Sequence, residues 1–151
     1  MTITGHTIHL TVQNASQASQ WYQEAFSATE ANRIVLPGGK LIHVEMHLGD
    51  LTLMLADEFP EMSSFSPKHL GGTYAAIYLH VNDVNTVWER AIAAGATIER
   101  PLADVFWGER EGQIIDPFGH RWGLTQRLHD VSIEKMQELA TSAFSGEGLH
   151  S

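Results

Sequence analysis

The 151-residue chain contains no cysteine, which excludes disulfide staples, thiolate metal ligands and a cysteine nucleophile. No apolar run approaches the roughly twenty residues that a membrane-crossing helix needs. Met1 to Gly5 lacks a basic stretch followed by an apolar core, so no secretory leader is expected either. Basic residues are scarce: nine Lys and Arg stand against eighteen Asp and Glu, for a formal charge of -9. That balance argues against a nucleic-acid partner, because a phosphate backbone is held by clustered cations. It suits a cationic ligand, and equally a well-solvated surface. Gly-rich phosphate loops, nucleophile elbows and paired zinc motifs are missing too. The expectation is a cytoplasmic protein. With 43% hydrophobic and 18% charged residues the chain has the composition of a folded globular protein, not a disordered one. Nine histidines stand out, several in stretches where side-chain direction can be argued.

His6 to Val12 alternates Ile8, Leu10 and Val12 against Thr7, His9 and Thr11, the period of a half-buried strand. Asn14 or Ser16 can cap a helix to about Phe26, with Ala18, Trp21/Tyr22 and Ala25/Phe26 as its apolar stripe. Strands follow over Thr29 to Leu36, Leu41 to Leu48 and Leu51 to Ala56, with turns at Pro37-Gly38-Gly39 and Gly49-Asp50. The order is β-α-β-β-β. Asp57 to Gly72, with two prolines, three serines and Gly71-Gly72, reads as an irregular join. The pattern then recurs. Tyr74 to Val81 is a strand, and Asp83 or Asn85 caps a helix that Gly95 ends. Ala96 to Glu99, Val105 to Gly108, Gln113 to Ile115 and Arg121 to Gln126 supply the remaining strand segments, with Gly108-Glu109-Arg110 as a turn. Val12-Gln13-Asn14 and Val81-Asn82-Asp83 occupy matching places 69 residues apart, which predicts an internal duplication. The expected architecture is α+β: two βαβββ modules over about 6–57 and 73–128, joined by 58–72 into one domain over 1–131. Both sheets would line one concave cup. A last helix is predicted over 132–144, capped by Ser132, before a Gly- and Ser-rich flexible tail over 145–151.

Asp116-Pro117-Phe118-Gly119 sits between the apolar Ile114-Ile115 and the alternating run from Arg121. Pro117 fixes φ for a turn and Gly119 accepts a positive φ there. This turn before a final strand, the repeat, His43-Val44-Glu45 and the run from Leu53 to Pro60 together resemble the vicinal oxygen chelate superfamily. The likeness covers about Thr7 to Gln126, and is nearest to the glyoxalase, bleomycin-resistance and dioxygenase branch. It implies chelating positions on the cup side of the first and last strands of each module, which here correspond to Thr7, Ala76, Gly123 and Met54 or Thr52. Those side chains cannot hold a catalytic divalent ion that wants imidazole nitrogens and carboxylate oxygens. No metal or other cofactor is therefore expected. The resemblance also implies a homodimer.

Strand parity places Thr7, His9, Thr11, His43, Glu45, His47, Tyr78, His80, Arg121 and Thr125 on the face away from the helices. Phe106 and Trp107 are expected to cover it. The candidate ligand-binding residues are thus His9, His43, Glu45, His47, Tyr78, His80, Phe106, Trp107 and Arg121. Within His43-x-Glu45-x-His47, alternate side chains stand about 7 Å apart on one face, and a carboxylate beside an imidazole can serve as an acid-base pair. Glu45 and His43 are the candidate catalytic residues. The same three fit a solvated polar face, a subunit contact, or, with His9, a relocated metal site. Trp21, Tyr22, Trp88 and Trp122 fall on the helix-packing sides and read as core, His120 as surface. Arg121 can meet an anionic group or pair with Glu45 or Asp116. Three functions follow: a metal-independent protein binding an aromatic or cationic small molecule, an enzyme using Glu45 and a histidine for isomerisation, cyclisation or lyase chemistry, and a metalloenzyme with relocated ligands.

Overall fold

The computed structural model describes residues 1–145; of the tail expected to be flexible, residues 146–151 lie outside the described residues. The elements run β1 (Ile8–Val12), α1 (Ala15–Phe26), β2 (Thr29–Val35), β3 (Leu41–Leu48) and β4 (Leu51–Asp57). After a connection come β5 (Ala76–His80), α3 (Val84–Ala93), β6 (Thr97–Val105), β7 (Glu109–Ile115), β8 (Arg121–Arg127) and α4 (Ile133–Ala143). The connection is not wholly irregular: it holds a 3-10 turn at Pro60–Met62 and a short helix, α2 (Pro67–Leu70), whose first turn Ser66 caps through His69 N. Two four-stranded sheets result, ordered β1-β4-β3-β2 and β5-β8-β7-β6. In each, the first strand pairs parallel to the last and the other pairings are antiparallel. This is the α+β arrangement of two βαβββ units that the sequence predicts.

Alternation decides which face meets the helices. Val12, Val44, Met46, Leu53 and Leu55 are essentially buried on the α1 side of the first sheet, and Ile114, Trp122 and Leu124 on the helix side of the second. Asn14 caps α1 by accepting from Gln17 N (3.0 Å), and Asp83 caps α3 by accepting from Thr86 N (3.2 Å). Asp57, at the end of β4, accepts from Ala15 N and Leu41 N (both 2.7 Å), so one carboxylate fixes the start of α1 against the start of β3.

The two units share one core. Trp21 Nε1 donates to Ala94 O at the end of α3 (2.8 Å), and Arg90 of α3 donates to Glu24 O of α1 (2.6 Å). The Tyr22 and Phe26 rings of α1 pack on Trp122 of β8 at 5.3 and 4.9 Å between centroids. Burying each such side chain contributes about 1.5–3 kcal/mol. Asp116, only 3% exposed, organises this region: it accepts from Tyr22 Oη (2.5 Å), Trp122 Nε1 (2.8 Å), Phe118 N (2.8 Å) and His120 N (3.0 Å). His120, expected on the surface, is half-buried with Nε2 2.9 Å from Thr11 O, so the turn also grips the edge of β1.

The second unit departs from expectation at β6 and β7. In place of the two strands expected over Ala96–Glu99 and Val105–Gly108 there is one long β6 that ends at Val105, and its register shifts on both sides of Arg100, near Pro101. Proline lacks the N–H a ladder needs, so alternation fails there. The turn lies over Phe106–Gly108, and Glu109 already begins β7. Gly108 takes φ +88, and a Cβ there would meet His129 O at 2.3 Å.

Candidate functional site

On the helix-free face of the first sheet, register aligns His9, Met54, Glu45 and Asn32 in one row across β1, β4, β3 and β2. His43, Glu45 and His47 lie half-buried on that face, and His9 is exposed. His47 Nε2 stands 3.0 Å from Glu45 Oε2. Of the histidine candidates flanking Glu45, it is therefore His47, not His43, that is joined to it. Thr11 closes one end of the face by bonding Ser64 at 2.9 Å. Among the described residues no group of three or more His, Asp or Glu is placed to hold a metal ion, so His9, Glu45 and a second histidine do not form the relocated site.

The second sheet repeats the row as Tyr78, Gly123, Gln113 and Arg100 across β5, β8, β7 and β6. The Tyr78 ring lies flat over Gly123: a Cβ on Gly123 would come within 2.4 Å of it. The phenol donates to Gln113 Oε1 (3.2 Å) and accepts from Arg100 Nη2 (3.0 Å), while Gln113 donates to Glu99. Arg121 pairs with Glu99 at 2.6 Å and bonds Tyr74 O at 2.9 Å, not Glu45 or Asp116. Strand order explains this, since Arg121 sits on the other sheet from Glu45. The chelating corner that the family resemblance places at Thr7, Ala76 and Gly123 thus offers no imidazole or carboxylate, and an aromatic ring occupies the space beside Gly123. These residues do not fit a divalent ion.

The next row is His80, Thr125, Glu111 and Ala103. Thr125 is buried and donates to Glu109 Oε2 (2.7 Å), and Arg127 approaches Oε1 of the same carboxylate at 3.4 Å. Glu111 is 7% exposed, and its closest cation, Arg100, remains 3.7 Å away. Burial pushes its carboxyl above the ordinary range; Arg100 opposes the shift, neighbouring Glu109 reinforces it, and Trp107 and Thr125 oppose it more weakly. Phe106 and Trp107 meet edge-to-face at 4.7 Å in the turn before this strand, and Trp107 lies within hydrogen-bonding reach of Glu111. His80 is exposed. Glu111, Glu109, Gln113 and Arg100 were not among the candidates. An alternating Glu109-x-Glu111-x-Gln113 run was there to be found, but placing a turn at Gly108-Glu109-Arg110 hid it.

The candidates therefore fall into two groups, one per sheet. No hydrogen bond or ion pair among the described residues links His9, His43, Glu45 or His47 to Tyr78, His80, Trp107 or Arg121. Beside the second group a groove of about 980 Å³ runs along β5. It is walled mainly by apolar side chains, including Ile8, Phe26, Leu51, Ile77 and Leu79, and Tyr78 and His80 stand at its lip.

Sheet order, the buried turn aspartate and the paired helix-free faces define the βαβββ class. The chain belongs to the glyoxalase/bleomycin resistance protein/dioxygenase superfamily, whose model matches residues 4–124. An uncharacterized protein of Mycobacterium bovis is 41% identical over 141 residues, spanning 91% of this chain and 93% of the relative. Among solved structures the fold is similar to TioX from Micromonospora sp. ML1, with TM-score 0.63 and 24% identity over 85% of this chain and 100% of that one. It is similar also to FosX, the genomically encoded fosfomycin resistance protein of Listeria monocytogenes, crystallised with Mn(II) and sulfate. There the TM-score is 0.65, with 18% identity over 92% of this chain and 99% of that one. No helix among the described residues is long and apolar enough to cross a membrane.

Proposed function

We propose that this chain is a metal-independent binding protein for an aromatic, cationic small molecule, akin to the antibiotic-sequestering members of its superfamily. One observation carries the reading: the Tyr78 ring lies over Gly123, with its phenol tied to Gln113 and Arg100, at a corner where chelating relatives would place a metal ligand. Tyr78 and Trp107 supply stacking surface, and the net charge of -9 favours a cation. The test is a thermal-shift screen against aromatic and cationic antibiotics, with and without chelator. A ligand present at a hundred times its Kd stabilises the native state by about 2.7 kcal/mol, an upward shift of about 5–10 °C for a chain of this size. The shift should survive chelation. A stoichiometric ion whose removal abolishes binding would overturn the reading.

The Glu45–His47 contact of 3.0 Å favours a second reading, acid-base catalysis of an isomerisation, cyclisation or lyase step. In that case Glu45→Gln abolishes turnover and spares most of the binding; equal loss of both counts against it. A homodimer belongs to either reading. The edge of β5 not paired with β8 borders the apolar groove, a surface a second copy could cover. Sedimentation across a concentration series tests this, and a single monomeric species at high micromolar concentration would exclude it.

A further inference from the structure

The carboxylate that the arrangement singles out is not Glu45 but Glu111. Glu45 already has His47 at 3.0 Å and lies on a half-open face. Glu111 is 7% exposed, with only weak hydrogen bonds from Trp107 and Thr125 to set against its burial. Its cation, Arg100, stops 3.7 Å away and gives its hydrogen bond to Tyr78 instead. The Thr125 hydroxyl opposite makes its close bond, 2.7 Å, to Glu109, and Arg127 also serves Glu109 (3.4 Å). Across the sheet Glu111 faces Ala103, whose small side chain carries no donor, and Trp107 lies beside the carboxylate. Burying a carboxylate without full compensation is costly, and a bound cation would remove that cost. Aromatic faces beside it add a further attraction for the same ligand charge.

We infer that Glu111 is the ligand-recognising carboxylate of this protein, taking an organic ammonium group between the Trp107 and Tyr78 rings on the helix-free face of the second sheet. The inference rests on the binding function proposed above and names the chemistry of that site. The charged and titratable groups facing Glu111 are Glu109 on its own strand, Arg127 and, beyond Thr125, His80 on the β8 and β5 side, and Arg100 with Tyr78 on the β6 side. A cation binds the ionised carboxylate, so affinity rises with pH as Glu111 loses its proton.

The test uses benzyltrimethylammonium, whose charge does not change with pH, against benzyl alcohol and benzoate, with binding followed by NMR titration of the full chain from pH 4 to pH 8. The expected result is preference for the ammonium over benzyl alcohol by about tenfold at pH 8, as for a desolvated cation on carboxylate and aromatic faces, falling as the pH drops. Glu111→Gln should flatten the pH profile and remove the preference. Glu138→Gln, on the exposed C-terminal helix, should keep both. Glu111→Asp, which keeps the charge, is the second variant should Glu111→Gln fold poorly, and it should retain the preference for the ammonium. Equal affinity for the ammonium and benzyl alcohol, or a preference that survives Glu111→Gln, overturns the role of Glu111 and leaves small-molecule binding standing. Absence of binding by all three probes at about 10 mM, where even a millimolar site is mostly filled, overturns both.

Discussion

Replacing Asp116 by alanine strips four donors of their acceptor at once. Two of these, Tyr22 Oη (2.5 Å) and Trp122 Nε1 (2.8 Å), belong to completely buried side chains that water cannot reach. The others, Phe118 N and His120 N, lie in a half-buried turn that water can partly serve. Each stranded buried donor costs about 1–3 kcal/mol, so the loss centres on about 4 kcal/mol once a small contribution from the turn is added. For a chain of this length that lowers Tm by about 8–16 °C. Urea unfolding followed by tryptophan fluorescence reads it directly, because Trp122 is one of the groups released. The m-value should stay unchanged. Asp116→Asn keeps one acceptor and turns an N–H₂ toward the remaining donors, for about 2–3 kcal/mol. Tyr22→Phe should cost about 1–2 kcal/mol, and the two changes should couple by about 1 kcal/mol in a double-mutant cycle. Burial, and then Asp116, hold the Tyr22 phenol well above its ordinary value. Its contribution is therefore present below about pH 10 and is lost as the pH rises through the native value. A loss under 1 kcal/mol for Asp116→Ala, or strict additivity of the pair, would refute the tether.

Gly123→Ala drives a methyl to within 2.4 Å of the Tyr78 ring and should cost about 1–3 kcal/mol, with Tyr78→Ala in the same chain recovering most of it; an unchanged urea midpoint would mean the ring does not hold that corner. Because burial raises the Glu111 carboxyl, its favourable share is complete below about pH 4.5 and disappears as the pH climbs through the native value. Glu111→Gln should therefore raise Tm at pH 7 and leave it unchanged at pH 4, and a stabilisation that persists at pH 4 would contradict this. The carboxyl of Glu30 runs the opposite way: its hydrogen bond from Arg33, aided by Ser19, holds it below the ordinary range against some burial. Its stabilisation exists above about pH 4.5 and is lost as the pH falls through the native value, so Glu30→Gln should flatten the acid limb of a Tm-against-pH curve.

The first unit was legible because β1, β3 and β4 alternate without interruption and its caps are the residues that capping chemistry prefers. Asn14 proved to be the cap of α1, and Trp21, Tyr22 and Trp122 are core as their parity required. The helix-free faces followed from the same alternation. Three things did not follow. Pro101 breaks the alternation of β6, and with β6 truncated the turn was placed two residues late and Glu111 fell out of any strand. His120 looked superficial because its partner, Thr11 O, is 109 positions away and is a backbone atom with no signature in the sequence. The choice between Glu45 and Glu111 depends on which carboxylate finds a partner. Both lie on helix-free faces, but one met a histidine two residues along its own strand, whereas the other was left short by arginines engaged elsewhere.

The connection from Glu58 to Gly72 runs along the outside of β1, with Ser64 bonded to Thr11 and Pro67 lying under Gly119. Each half of the chain completes its own hydrogen-bonded ladder without borrowing a strand from the other, yet neither half completes its own interior. Tyr22 belongs to one half, and the aspartate and indole it needs belong to the other. A nick in the tether would therefore leave two finished sheets with matching wounds, and what holds such halves together is not the peptide link but the seam around one buried carboxylate.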